Sequence, residues 1–214
     1  MKVACELIFN QLQLDILKEI GNIGAGNASS ALSELLNKKI EMKVPRVRLV
    51  SFEDMMELYG NADKQVASIF LPFSGDLTGN MFFVLSVEKA SVFIQHLPGM
   101  EQYSFQQAPY ADLAISAFQE LGNILAGSYL TALSEFLRLS IYPSVPGVSI
   151  DMFGAIISYG LIEISKVSDH AIVIDTEIND PFSLDGNEFI KGHFLLLPDP
   201  NSFQKIFSSL GVNS

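Results

Sequence analysis

The chain of 214 residues carries a formal net charge of −11, and 49% of its residues are hydrophobic. So acidic a chain lacks the basic footprint that nucleic acid or an anionic membrane surface needs, and neither is expected as its main ligand. No window approaches the ~20 apolar residues of a membrane span, and the N-terminus lacks a signal-peptide pattern. The single Cys5 and three scattered histidines predict neither a disulfide nor a metal site, and a free thiol at Cys5 fits the reducing cytoplasm.

A first long helix is predicted from a capping box at Asn10 and Gln13, with its end near Asn37. Pro45 marks a bulge or an edge in the extended segment that follows. The remaining pattern of the first half predicts an extended segment at 40–52 and a short helix at 53–59. Two strands of an antiparallel hairpin at 66–72 and 80–87 and another short helix at 88–97 follow.

A polar linker over 100–108 leads to a second long helix, which is predicted to carry Pro109 in its first turn and to run to about Leu139. The rest of the chain alternates between extended and helical patterns. They predict an extended segment at 141–150, a short helix at 151–157 and strands at 160–165 and 171–178. A loop at 179–187, a strand at 188–197 and a terminal helix up to 210 follow.

The two long helices carry the same phrase, which begins at Glu19 and returns at Glu120, 101 positions later. Both copies contain Gly-Asn-Ile and end in Ala-Gly. The same offset relates two further pairs of segments, Ala-Leu-Ser-Glu at 31–34 and 132–135, and Val-Pro-x-Val at 44–47 and 145–148. The chain is therefore predicted to be an internal duplication.

This duplication predicts one domain, residues 1–214, made of two repeats at about 8–100 and 109–210. A pseudo-two-fold axis would relate the repeats, and their strands would share one sheet. The expected fold class is α+β, with a mainly antiparallel sheet, the long helices on one face and two layers in all.

Within each phrase, Glu and Asn stand three residues apart and so project from one face of the helix: Glu19 with Asn22, and Glu120 with Asn123. The solvated face of an amphipathic helix would explain either copy alone. Both residue types recur, however, although neighbouring surface positions have changed since the duplication. The recurrence favours a functional face.

Four further positions support the motif. Asp15 and Ser116 precede the glutamates by one helical turn, while Gly26 and Gly127 follow the asparagines by one turn. A glycine there leaves room for the backbone of another protein, or for a water, beside the carboxamide. Helix–helix packing through the same glycines is the alternative, and the sequence leaves both open.

The chemistry of the motif is incomplete. No His or Cys lies near it in sequence, and Ser without a base is inert, so a self-sufficient nucleophile is missing. A carboxamide can orient an attacking water for phosphoryl transfer, and a carboxylate can pair with a cation. The rest of such an active site would have to come from a substrate protein.

Other candidate sites are weaker. The glycine-flanked segment 75–79 lacks the lysine and spacing of a phosphate loop and is predicted to be a hairpin turn. His170 and His193 lie in or near strands, where a lone histidine is most often structural. Asp175 and Glu177 alternate with apolar residues and are expected to face solvent.

The pattern Asp/Ser-x-x-x-Glu-x-x-Asn-x-x-Gly/Ala occurs at 15–25 and again at 116–126. It resembles the signature of the CheC/CheX/FliY family of chemotaxis phosphatases, and the resemblance spans nearly the whole chain. Two intact motifs are more similar to CheC than to CheX, which typically keeps one. A flagellar-switch domain like that of FliY is not expected after residue 210.

The resemblance implies hydrolysis of the aspartyl phosphate on the response regulator CheY, with no cofactor in the phosphatase and Mg²⁺ held by CheY. In this interpretation Asn22 or Asn123 holds the attacking water in line. Glu19 or Glu120 pairs with the active-site lysine of the regulator. The supporting positions would let the helix dock over the regulator's active site.

The family also implies a second partner, the receptor deamidase CheD. Asp151, Met152 and Phe153 lie in a segment that resembles the region linked to CheD, although a short helix covering the sheet explains the segment at least as well. One alternative function is a non-catalytic adaptor that sequesters or regulates CheD. Another is a duplicated domain whose glycines only pack helices, which predicts buried Glu and Asn side chains.

Overall fold

The computed structural model describes residues 10–164, 170–179 and 189–210, with the side chains of 159–164 excepted. Its elements are α1 (Gln11–Leu36), β1 (Met42–Ser51), α2 (Phe52–Met56), β2 (Gln65–Gly75), β3 (Gly79–Ser86), α3 (Val87–Gln95), α4 (Asp112–Leu137), β4 (Ile141–Pro143), β5 (Gly147–Met152), α5 (Phe153–Ile164), β6 (His170–Asn179), β7 (Phe189–Pro198) and α6 (Pro200–Ser209). The two long helices, α1 and α4, each contain 26 residues.

Local signals fix the ends of α1. The Asn10 side chain accepts a hydrogen bond from the Gln13 backbone N–H at 2.9 Å, and the Gln13 side chain accepts one from the Asn10 N–H at 3.0 Å. This reciprocal pair is the predicted capping box. The helix ends at Asn37, whose backbone is left-handed with φ 49°. At the equivalent position α4 ends at Arg138, with φ 55°.

Within the described residues, seven strands form one antiparallel sheet in the order β1-β6-β7-β3-β2, and both β4 and β5 pair with the far side of β2. The order reads the same from either side if β1 corresponds to β5, β2 to β6 and β3 to β7. Phe82 pairs with Leu195 where β3 meets β7 at the centre. Because β1 pairs with β6 and β5 with β2, each edge strand lies against the other repeat.

One face of this sheet carries both long helices, flanked by α3 and α6. A close approach between α1 and α4 depends on Gly24, where an added Cβ would lie 3.0 Å from the Cα of Tyr129. The predicted α+β class, antiparallel sheet and placement of the long helices are confirmed.

The opposite face of the sheet is covered by α2 and α5, which the two-layer expectation did not include. Met55 of α2 and Phe153 of α5 are both fully buried there, in a second apolar cluster with strand residues such as Phe82. The fold therefore has three layers. Short helices were predicted at 53–59 and 151–157, but the face of the sheet that they cover depends on contacts between distant residues, which local periodicity does not show.

Several predicted boundaries differ from the structure. Pro109 precedes α4 instead of lying in its first turn, since Ala111 is the N-cap. The strand predicted over 160–165 is wrong up to Ile164, because α5 continues through it. The bulge predicted at Pro45 is confirmed by a register shift between Lys43 and Arg46. The loop predicted over 179–187 lies outside the described residues after Asn179.

Candidate functional site

Most of the motif side chains are at the surface of α1 and α4. Glu19, Glu120 and Asn123 are exposed, and Asn22 is half-buried. Neither glutamate forms a hydrogen bond or an ion pair with any residue that the structure describes. The alternative of buried motif side chains, held inside the protein, is therefore wrong for three of the four.

Gly26 and Gly127, one turn beyond the motif asparagines, border open space. A Cβ added to either would meet nothing within 4 Å among the described residues, apart from its own helix backbone and chain neighbours. Packing of the two helices through these glycines is therefore excluded. The glycines that do pack are other members of the phrase, such as Gly24 against α4.

In the first repeat, the motif asparagine is bonded to the start of β1. The Val44 backbone N–H donates a hydrogen bond of 2.9 Å to the Asn22 Oδ1. Because an N–H group needs an acceptor, this contact determines which end of the carboxamide faces β1. Val44 itself is 1% exposed and packs over Gly21, at 3.3 Å from the position of an added Cβ. The carboxamide oxygen of this copy is thus turned toward its own fold.

In the second repeat, the equivalent asparagine has no such contact. Asn123 forms no hydrogen bond with any described residue, and Val145, which corresponds to Val44, is 81% exposed. The space over Gly122 is filled by Ile69, whose Cγ1 lies 2.6 Å from the position of an added Cβ. Val145 lies in the break between β4 and β5, whereas Val44 lies within the continuous strand β1, and the Asn123 carboxamide remains open.

This outward turn leaves an open groove of about 670 Å³ beside α4. Its floor includes Glu120 and Asn123, and its outer wall is the segment 143–146. The Gln119 Nε2 donates a hydrogen bond of 2.7 Å to the Pro146 carbonyl oxygen and so fixes the wall to the helix. The second motif therefore has a shaped surface that the sequence did not predict.

The other predicted positions fall in several environments. Asp15 is exposed and accepts a hydrogen bond of 2.9 Å from the Gln11 side chain, while Ser116 lines the groove.

In the segment resembling the CheD region, Asp151 and Met152 are exposed and end strand β5, and Met152 is 51% exposed. Phe153 is fully buried, so it contributes to the core and not to the surface.

The expectation that Asp175 faces solvent is wrong. Its Oδ1 accepts a hydrogen bond of 2.7 Å from Arg48 and lies 2.9 Å from the His193 Nδ1. Burial raises the pKa of the Asp175 carboxyl, but hydrogen bonds from His193 and Arg48 outweigh burial and leave that pKa below its ordinary value. Glu177 similarly pairs with Lys43 at 2.9 Å. Both carboxylates tie neighbouring strands together.

The described residues contain no group of three or more His, Cys, Asp and Glu side chains placed to hold a metal ion. None of the helices in the described ranges is long and apolar enough to cross a membrane. The repeated Glu and Asn pairs are thus the candidate site that the described residues support best.

The fold and the motif define a class: an α+β domain with an antiparallel sheet that carries a Glu/Asn pair on each of its two long helices. A family model described as the CheC-like family matches residues 12–48 and 113–150, which hold both motifs. The CheY-P phosphatase CheC of Bacillus subtilis (strain 168) is 50% identical over 209 residues, which are 96% of this chain and 99% of that protein. The chain belongs to the CheC-like family, and the resemblance noted in its sequence is confirmed.

More distant relatives share parts of the chain or its fold. The flagellar motor switch phosphatase FliY of Bacillus subtilis (strain 168) is 24% identical over 141 residues, 66% of this chain and 36% of that protein. The crystal structure of Thermotoga maritima FliY matches with a TM-score of 0.71 at 22% identity, over 95% of this chain and 98% of that one. FliM, in a FliM–SpeE complex from H. pylori, matches with a TM-score of 0.67 at 12% identity, over 95% and 97%. These structures support the fold.

Proposed function

We propose that this protein is a phosphatase that hydrolyses the aspartyl phosphate of the response regulator CheY. The 50% identity to a CheY-P phosphatase supports the substrate. The observation that carries the proposal is the Glu and Asn pair on each long helix, exposed except for the half-buried Asn22 and most open at Glu120 and Asn123. A cytoplasmic location is part of the same proposal.

Water is the nucleophile in this reaction, because the motif supplies none. As the water oxygen bonds to phosphorus, the bond from phosphorus to the aspartyl oxygen breaks, which releases inorganic phosphate and restores the carboxylate of CheY. The attacking water uses a lone pair, so a positioning group must accept a hydrogen bond from its O–H. In this protein the acceptors are the carboxamide oxygens of Asn22 and Asn123. Each would hold one water in line with the bond that breaks.

Glu19 and Glu120 have a different task. Each is an exposed carboxylate without a partner among the described residues, so it is available to pair with the active-site lysine of the regulator. Such a pair would align the helix with the phosphoryl group. The Mg²⁺ that neutralises the phosphoryl charge would belong to CheY, as would the phosphorylated aspartate. Two proteins would therefore complete one active site.

The test is the decay rate of phosphorylated CheY with wild-type protein, Asn22→Ala, Asn123→Ala and the double variant. We expect the double variant to leave only the intrinsic decay of CheY-P. Asn27→Ala is a matched control, because Asn27 is an exposed asparagine of α1 outside the motif, and this variant should keep full activity. A double variant that retains the wild-type rate would overturn the proposal.

A second function, binding of the deamidase CheD, is supported by the exposed end of β5. Met152 is 51% exposed beside the exposed Asp151 on an edge strand. Capture of CheD should weaken in Met152→Ser and persist in the variant that lacks Asn22 and Asn123. Retained capture with lost dephosphorylation would separate the two surfaces. Full CheD binding combined with no phosphatase activity in the wild type would instead favour the non-catalytic adaptor.

A further inference from the structure

The outer wall of the second groove presents an apolar side chain that contributes nothing to the core. Val145 is 81% exposed, the highest value among the large hydrophobic side chains that the structure describes, and the nearby Tyr142 is 62% exposed. A single exposed valine is common on protein surfaces. This one lies on the rim of a groove whose floor carries two motif residues, Glu120 and Asn123.

The first repeat provides an internal reference for this valine. Val44 occupies the equivalent place in the same Val-Pro-x-Val sequence, yet it is 1% exposed and its N–H is bonded to Asn22. The sequence therefore permits burial at this position. In the second repeat Val145 lies in the break between β4 and β5, and Ile69 covers Gly122 in place of the valine.

The exposed wall is held firmly on both sides. Gln119 Nε2 donates to the Pro146 carbonyl oxygen at 2.7 Å, and the Ser144 N–H donates to the Pro72 carbonyl oxygen at 2.8 Å. Strands β4 and β5, which flank the wall, both pair with β2. Lys18 replaces Gln119 at the equivalent place in the first repeat and makes no such bond to the described residues. A fixed apolar rim beside a polar floor is suited to contact with a second protein.

We infer that the wall 143–146 is a docking edge of the second active site, and that Val145 contacts the receiver domain of the regulator beside its phosphorylated aspartate. The inference rests on the proposed function and names the surface by which that partner is recognised. A groove that is open along one side admits a projecting loop of a folded domain. The polar floor would meet the lysine and the phosphoryl group, while Val145 would cover apolar surface next to them.

The test compares KM and kcat for CheY-P in an Asn22→Ala background, where the second site acts alone. We expect Val145→Ser to raise KM about fivefold, as for the loss of one aliphatic contact, and to change kcat less than about twofold. Val145→Ile, which keeps an aliphatic side chain, should have the same KM as the protein with Val145. Phe136→Ser is the surface control, since Phe136 is 47% exposed and lies about 20 Å along α4 from Asn123. An unchanged KM in Val145→Ser overturns the inference.

The reciprocal experiment uses an Asn123→Ala background, in which the first site acts alone. There Val145→Ser should leave KM unchanged, because the wall belongs to the other groove, and a raised KM would contradict the inference. Sedimentation of the phosphatase in the absence of the regulator gives a second check. A change in its oligomeric state in Val145→Ser would also overturn the inference, since the wall would then contact a second copy of this chain.

Direct binding separates this inference from the proposed function. The affinity for beryllofluoride-activated regulator, measured by fluorescence anisotropy, should fall about fivefold in Val145→Ser, without any need for hydrolysis. Equal binding by both proteins overturns the docking edge. Wild-type protein that binds the activated regulator but does not speed its dephosphorylation overturns the proposed function and leaves the docking edge in place.

Discussion

The first motif asparagine serves the fold, whereas the second is free to serve a partner. Asn22 accepts the Val44 N–H and so fixes the start of β1 against α1. Asn123 has no bond to the described residues, and the corresponding wall, with Val145 at its rim, stands apart from α4. The same phrase thus occurs twice in the chain, in two different environments.

This difference bears on catalysis through the carboxamide oxygen. A water that attacks phosphorus must be held by an acceptor, and the Asn22 Oδ1 already accepts a hydrogen bond from Val44. A carbonyl-type oxygen has a second lone pair, so in the proposed mechanism the first site should be weakened and not abolished. The Asn123 oxygen accepts no hydrogen bond from the described residues, and it borders the groove. We therefore expect the second repeat to carry most of the activity.

Single asparagine variants should show this inequality most strongly. Asn123→Ala is expected to lower the accelerated decay of CheY-P about fivefold, and Asn22→Ala by less than about twofold, because each removes a water-positioning acceptor from a site of different strength. The measurement is the first-order decay of labelled CheY-P at equal phosphatase concentration. Equal losses in the two variants would show that the Val44 bond does not limit the first site.

Gly21 and Gly122, which directly precede the motif asparagines, should differ in how well they tolerate an added methyl group. In Gly122→Ala the new Cβ would overlap Ile69, which is fully buried and cannot withdraw, so we expect a loss of about 2 kcal/mol in the free energy of unfolding. In Gly21→Ala the contact with Val44 is 3.3 Å, and a helix-propensity gain of about 1 kcal/mol offsets it. Urea denaturation measures both. A Gly122→Ala protein as stable as Gly21→Ala would show that Ile69 does not fix the second repeat.

The structural role of Asn22 should appear as a stability difference between the two asparagine variants. Replacement of Asn by Ala gains the same helix propensity at both positions, so the comparison isolates the hydrogen bond to Val44. Asn22→Ala should be less stable than Asn123→Ala by about 1–2 kcal/mol, because the Val44 N–H loses its acceptor. Denaturation at neutral pH provides the measurement, and equal stabilities would mean that water replaces the lost acceptor without cost.

Much of the fold could be predicted because its signals are local and repeated. The capping box at Asn10, the bulge at Pro45 and the 101-residue offset each depend on a few neighbouring residues. A duplicated phrase then predicts the pseudo-symmetric pairing of the halves. Exposure of the motif residues followed from the same repetition, since Glu19 and Glu120 recur where neighbouring positions changed.

The difference between the two sites could not be predicted, because the two segments whose exposure differs have the same sequence motif. Val44 and Val145 both stand in Val-Pro-x-Val, yet one is buried and the other exposed. The strand that carries Val44 is continuous, whereas Val145 lies in the break between β4 and β5, and the repeated motif does not show where a strand is interrupted. The helical continuation of α5 to Ile164 was missed for a similar reason, since its apolar run suits either a strand or a helix.

The glycines one turn beyond the asparagines provide the finest test, because stability and activity should change in opposite directions. Gly26 and Gly127 have helical neighbours and open space, so Ala at either position should raise the free energy of unfolding by up to about 1 kcal/mol. If these glycines provide clearance for a docked partner, the new methyl group should at the same time raise KM for CheY-P. The effect should be larger for Gly127→Ala, which adjoins the site that we expect to be more active.

The exposed Ser30, one turn beyond Gly26 on the first helix, offers a control for this test. Ser30→Ala changes a residue of α1 that is exposed like Gly26 and removes only a bond from its hydroxyl to the Gly26 carbonyl oxygen. It should gain a few tenths of a kcal/mol in stability and keep its KM. A Gly127→Ala protein that is more stable and keeps its KM as well would show that no partner approaches the helix there. Contact with the regulator would then be confined to Glu120, Asn123 and the groove wall.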